Sequence, residues 1–336
     1  MTCIEWLPLV CVTRNPLVEN QHFGIAVIAD EKGRIIRSLG NANRLVFPRS
    51  ALKPIQALPV IESGAADHFG FGPSEQALMC GSHSGEPQHV RLVKAMLDRL
   101  GLDESSLKCG THIPLYYQEH FAQGVPPLSA FSALNHNCSG KHVGFLAHTC
   151  HAGERVDTYL EKDHPTQQAV RQAILRTTGV SPELLAESVD GCSAPTYALP
   201  IVSLATAYAR LATAAQRTGF GILREAMMSF PYLVSGTDRT DEALMRITRG
   251  RILAKFGADG IQAVGLPSHG LGIAVKIADG NSRAAIAVTL SILEELDALS
   301  SEEIELIRDV ASLTVSTSRG IAVGEYCAKL RDQTSD

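Results

Sequence analysis

The chain has 336 residues, 45% hydrophobic and 19% charged, so it carries enough apolar surface for a large core and is not a disordered or low-complexity protein. Thirty basic against thirty-five acidic residues leave a net charge of -5 with no long basic run, which argues against nucleic acid as the main partner. Aromatic residues make up 5%, with one tryptophan at Trp6, which argues against base-stacking platforms and carbohydrate clefts.

The apolar stretch from Ile4 to Val12 is short, contains Glu5 and Pro8 and lacks a basic flank, so it does not read as a secretory signal. A β-type run from Phe23 to Ala29, a turn at Asp30-Glu31-Lys32-Gly33 and a second run from Arg34 to Leu39 predict a hairpin. A helix is expected from Ser50 to Glu62, after an extended segment closed by Pro48. The chain then reads as mainly helical to about Ser229, with helices at Ser74–Met79, Glu86–Leu100, Thr166–Thr177 and Tyr197–Gln216. The stretch Tyr197–Ala214 is the longest apolar candidate. It contains Pro200 and Arg210, so it reads as a buried helix and not as a membrane span, which needs about 20 cleaner residues. Strands are expected at Gly260–Leu266 and Gly272–Ile277, and helices at Ala284–Leu299 and Ser301–Ser312. Strand-forming segments at both ends and helices between them predict an α/β fold. Its antiparallel sheet is built from N- and C-terminal segments (lobe 1–49 and 230–336), with an inserted, mainly helical lobe at 50–229.

Eight cysteines (Cys3, Cys11, Cys80, Cys109, Cys138, Cys150, Cys192, Cys327) in a chain of this length are no disulfide scaffold. Reduced thiols in a cytoplasmic protein are the expectation.

Four segments carry residues suited to chemistry. In Pro48-Arg49-Ser50-Ala51-Leu52-Lys53-Pro54, Ser50 and Lys53 stand three apart, on one side of a helical turn. A serine hydroxyl needs a base to become a nucleophile, and a lysine is that base only when its pKa falls by roughly three units from about 10.4. The bland alternative is a helix cap followed by a solvated lysine. Cys80-Gly81-Ser82-His83-Ser84-Gly85-Glu86 is a loop of small polar residues in which Ser82 is a candidate proton relay; a capping loop is the plainer reading. Lys255, before the glycine turn Gly257-Ala258-Asp259-Gly260, is a candidate second cation, or else a surface lysine. Cys138-Ser139-Gly140-Lys141-His142 and Asp190-Gly191-Cys192 bring cysteines and a histidine, without zinc-finger spacing, and read on spacing alone as buried thiols.

Taken together and in order, these segments closely resemble the rhizobial-type L-asparaginases over nearly the whole chain. The likeness extends to Val18-Glu19-Asn20-Gln21-His22-Phe23-Gly24 and Gly270-Leu271-Gly272. One departure is Thr13-Arg14-Asn15-Pro16-Leu17, where many relatives carry an Arg-Gly-Gly-like segment. The resemblance implies a serine β-lactamase-like and glutaminase-like fold and hydrolysis of the L-asparagine side-chain amide to aspartate and ammonia. It implies two Ser-Lys tandems, Ser50 with Lys53 and Ser82 with Lys255. It also implies a zinc ion held by Cys138, Lys141 and Cys192, and a homodimer. For the zwitterionic substrate, Arg49 is the candidate partner of the α-carboxylate and Asp190 or Glu19 of the α-ammonium, with His142 also placed on the substrate side. Rival readings are a glutaminase, a β-lactamase or a D-amino-acid peptidase on the same fold, a zinc amidohydrolase without H-E-x-x-H, and a sensor that has lost turnover.

Overall fold

A computed structural model describes residues 5–121 and 124–330. Cys3 and Ile4 lie outside the described residues. Eleven strands occur among the described residues: β1 (Leu7–Arg14), β2 (Leu17–Asp30), β3 (Ile35–Leu39), β4 (Leu45–Val46), β5 (Ala186–Val189), β6 (Pro195–Pro200), β7 (Leu253–Gly257), β8 (Ile261–Leu266), β9 (Leu271–Ile277), β10 (Thr314–Ser316) and β11 (Ala322–Ala328). All their pairings are antiparallel. The chain divides into two units. One comprises Met1–Ala51, Leu199–Thr213 and Asp238–Asp336, and the other Leu52–Ala198 and Ala214–Thr237.

The first unit is an eight-stranded sheet in the order β10-β11-β1-β2-β9-β8-β7, with β3 added to β2. The long β2 serves two partners along one edge: Leu17–Gly24 face β1, and Ala26–Ala29 face β3. Its other edge takes β9 in continuous register from Gly24↔Ile277 to Asp30↔Leu271. Segments some 240 residues apart thus share one ladder, which is the expected α/β class with a sheet made from N- and C-terminal segments. Every residue of β8 is buried, so both faces of the sheet are covered there. The helix Ile201–Thr213 packs on β2, β8 and β9, and the helix Ser282–Glu295 on β8, β9, β1 and β11.

The second unit is mainly helical. The helix Pro73–Met79 is surrounded by Ser139–His151, Gly219–Ser229 and Pro231–Val234. No helix among the described residues is long and apolar enough to cross a membrane.

Three expectations shift. The segment expected as one helix from Tyr197 begins as strand β6, because the residue before Pro200 is held extended and Ala186–Val189 pairs with Pro195–Ala198; the helix starts at Ile201. That helix belongs with the sheet and not with the helical lobe of 50–229, since its apolar face is buried on β9. Residues 230–237, by contrast, belong with the helical unit. The helix expected from Ser50 is broken into a tight turn at Arg49–Leu52 and two short helices, Lys53–Gln56 and Leu58–Glu62. Pro54 and Pro59, at the start of each short helix, have no N–H to continue the preceding one. The strand β1 was missed in the sequence because Leu7–Arg14 alternates weakly.

The seat of helix Ile201–Thr213 depends on Gly272. A Cβ there would stand 1.9 Å from the Ala205 carbonyl oxygen and 2.5 Å from the Ala209 nitrogen, both fixed backbone atoms. Gly272→Ala is expected to destabilise the fold by about 3 kcal/mol, read as a lower urea midpoint at unchanged slope.

Candidate functional site

In the helical unit, Lys53 is the first residue of its short helix and is 1% exposed. Its Nζ lies 2.6 Å from the Gly81 carbonyl, 2.8 Å from Ser82 Oγ and 3.3 Å from the Asn137 carbonyl. Burial pushes the Lys53 amine below its usual range; the Cys138 sulfur opposes this and Lys141 reinforces it. Lys53 Nζ donates to both carbonyls and to Ser82 Oγ, and the Cys138 sulfur is a further side-chain partner.

Ser82 is fully buried in the loop after Pro73–Met79, and its backbone N–H donates to the Val234 carbonyl at 2.8 Å. The same loop is pinned along its length. His83 Nδ1 accepts from the Gly85 N–H, which leaves Nε2 to donate to Ser139 Oγ at 2.9 Å. Glu86 accepts from Ser84 Oγ, the Thr237 N–H and hydroxyl, and the Tyr232 hydroxyl. The helix Ser139–His151 presses on Pro73–Met79 through Gly140, where a Cβ would stand 2.6 Å from the Leu78 carbonyl oxygen. That close approach brings the start of the helix beside the loop.

Cys138, Lys141 and Cys192 come together in this unit, all buried. Lys141 Nζ donates to Cys192 Sγ at 3.1 Å. The Cys138 thiol donates to the Cys192 sulfur, so Cys138 keeps its proton and Cys192 is held as a thiolate, helped by Lys141. Burial opposes the Lys141 ammonium, but the Cys192 and Cys138 sulfurs raise its pKa above the usual lysine value. His142 Nδ1 bonds the Tyr159 hydroxyl at 2.7 Å; Nε2 has no partner of good hydrogen-bond geometry and feels the Cys192 sulfur. Burial pushes the pKa of this imidazole down, against the opposing pull of the Cys192 sulfur. Asp190 is half-buried in the loop before Cys192, and its carboxylate accepts from the Gly191 N–H. Among the described residues no three His, Cys, Asp or Glu side chains cluster to hold a metal ion.

In the sheet unit, Ser50 is 9% exposed on the turn Arg49–Leu52. Arg49 has a left-handed backbone (φ +53°) and donates from Nη1 to Asp259 Oδ2 at 2.5 Å; Asp259 is itself left-handed (φ +60°). Lys255, on β7, is fully buried, with its Nζ 3.5 Å from Asp241 Oδ2, 3.0 Å from the Phe256 carbonyl and over the Phe256 ring at 3.9 Å. Asp241 also accepts from the Phe256 N–H and the Gln262 side-chain amide. Glu19 is exposed on β2 and paired with Arg14.

Within the helical unit, Lys53 is a lysine bonded to Ser82. Asp241, Asp259, Tyr159 and Glu86 were not singled out from sequence. Asp241 sits in the first turn of Thr240–Ile247, where an acid is ordinary, so only the fold reveals it.

The sequence family described as L-asparaginase II matches residues 10–328. The chain belongs to the L-asparaginase II family. Membership makes it an asparaginase-type hydrolase, an amidohydrolase. No curated protein matches this chain. Among solved structures the chain is similar to a β-lactamase from Mycobacterium bovis (14% identity, 81% of this chain and 94% of that one covered, TM-score 0.43). It is also similar to a mutant simvastatin synthase from Aspergillus terreus (10% identity, 75% and 84% covered, TM-score 0.29).

Lys255 and Asp241 form an ion pair with no exposure of either side chain. Removing the carboxylate takes a counter-charge from beside a buried ammonium. Asp241→Ala is expected to cost about 3–5 kcal/mol, and adding Lys255→Met to recover much of it, both measured by chemical denaturation.

Proposed function

We propose that this asparaginase-type hydrolase cleaves the side-chain amide of L-asparagine to L-aspartate and ammonia through a serine acyl-enzyme. Ser50 is the nucleophile and Lys53, three residues on, is the base that takes its proton. The hydroxyl oxygen attacks the amide carbon, the tetrahedral oxyanion is held by backbone N–H groups, and the C–N bond breaks as ammonia takes a proton. Ser82 and Lys255 supply the route for that proton. Water then hydrolyses the ester and restores Ser50. Arg49 and Asp190 meet the charged ends of the substrate, and His142 the same side.

The observation that carries this reading is the Lys53 Nζ, stripped of water and bonded to Ser82 Oγ at 2.8 Å. It supports a neutral lysine in hydroxyl chemistry, which a helix cap with a solvated lysine would not require. The same bond favours a second reading in which Ser82 carries the acyl group and Ser50 relays the proton.

A zinc ion fits the donors present: two thiols and an amine, with the His142 imidazole beside the Cys192 sulfur. Cys138, Lys141 and Cys192 would hold it, with Lys141 giving up its proton to bind. The ion would supply fixed positive charge beside the Ser82 loop. The protein's own residues do the acyl transfer.

Ammonia release from asparagine and from glutamine tests the reading. Ser50→Ala should lower turnover on asparagine by about a thousandfold or more, and a quenched reaction should show an ester on the Ser50 peptide. An ester on Ser82 establishes the second reading, and more than a tenth of wild-type turnover in Ser50→Ala removes Ser50 as nucleophile. The base works only when uncharged. The turnover number should therefore rise with pH through one ionisation below the ordinary lysine value of about 10.4, and Lys53→Met should abolish it. Cys138→Ala should bring zinc content to background while lowering turnover only in part; complete loss in a folded variant would point to metal-activated water.

A further inference from the structure

Two cysteines that take no part in the proposed chemistry face one another across the sheet. Cys11 lies on β1 and Cys327 on β11, and the register sets them directly opposite. Directly opposed residues of an antiparallel pair point to the same face. Their Cα atoms stand about 4.5 or 5.5 Å apart, and both spacings fall in the range of about 4.4–6.8 Å that a disulfide spans. The two thiols are within hydrogen-bonding reach of one another, and both are free. Cys11 is buried, whereas Cys327 is half-buried and open to a small reagent.

We propose that Cys11 and Cys327 are a redox-active dithiol that small-molecule disulfides of the glutathione class convert to a cross-strand disulfide, fastening β1 to β11. The Cys327 thiolate attacks one sulfur of the oxidant. The Cys327–glutathione S–S bond forms, the oxidant's own S–S bond breaks, and one thiol leaves. The Cys11 thiolate then attacks the Cys327 sulfur, forming the protein disulfide and releasing the second thiol. The protein loses two electrons and two protons, and one disulfide becomes two thiols. Attack by Cys11 is intramolecular and needs no rearrangement of the strands, because the register already holds the two sulfurs together. The first step is the slow one: burial, helped by Glu325 and Cys11, raises the Cys327 thiol to about 11, so little thiolate is present at neutral pH. The bridge closes a loop of more than three hundred residues, the kind of link that most restricts the unfolded chain.

The test incubates the full chain with oxidised glutathione at mildly alkaline pH, alkylates the remaining thiols after denaturation, and weighs the unreduced peptides. The expected product is one linked pair of peptides containing Cys11 and Cys327, two hydrogens lighter than their sum, which dithiothreitol separates. The linked protein should melt several degrees higher than the reduced protein. Cys327→Ser and, independently, Cys11→Ser should each abolish both effects while ammonia release from asparagine stays unchanged. Glutathione left on Cys327, a link from Cys11 to any other cysteine, recovery of both residues in alkylated form, or an unchanged Tm in the linked protein overturns the proposal.

Discussion

An amine without water is the feature on which the rest turns. Desolvation disfavours an ammonium by several kcal/mol, and a folded chain tolerates a buried lysine only by pairing it or by letting it lose its proton. Burial pushes Lys53 in the second direction. Its partners include the Gly81 and Asn137 carbonyls, the Ser82 hydroxyl and the Cys138 sulfur. Much of the helical unit serves that set. The Gly140 contact seats one helix end beside the Ser82 loop, and Glu86, with four acceptor contacts, keeps the loop from moving away.

Lys255 shows the other course. It is as deeply buried as Lys53, yet a carboxylate lies 3.5 Å away, so its charged form is compensated. Two lysines of equal burial thus differ in their neighbours, one set among carbonyls, a hydroxyl and a sulfur and the other beside a carboxylate. Lys141 is a third case, balanced against sulfur. Residue type alone distinguishes none of the three.

Much of the architecture was legible because it rests on local signals. The hairpin turn at Asp30–Gly33 and the amphipathic helix at Pro87–Arg99 both follow from neighbours within a few positions. The boundary at Pro200 was misread because an alanine-rich run after a proline scores as helix throughout, while the strand before it exists only by pairing with β5. The site was legible as a set of segments but not as a set of contacts. Which lysine meets which hydroxyl, and that Asp241 lies against Lys255, depends on elements brought together from far apart in sequence. Arg49 illustrates the limit. Its place beside Ser50 was plain, but its ion pair with Asp259, 210 residues away, was not.

The ladder between β2 and β9 has a bearing on how the chain is made. During synthesis the β1–β2 hairpin emerges first and then waits for some 240 further residues before the strand that completes its other edge leaves the ribosome. At ordinary translation rates of about 5–20 residues per second that wait is on the order of ten seconds or more. For all that time a long row of unsatisfied backbone groups, in the apolar stretch Ile25–Ala29, is open to neighbouring nascent chains. Until β9 arrives, that open edge of β2 is where the chain is exposed to wrong strand pairing.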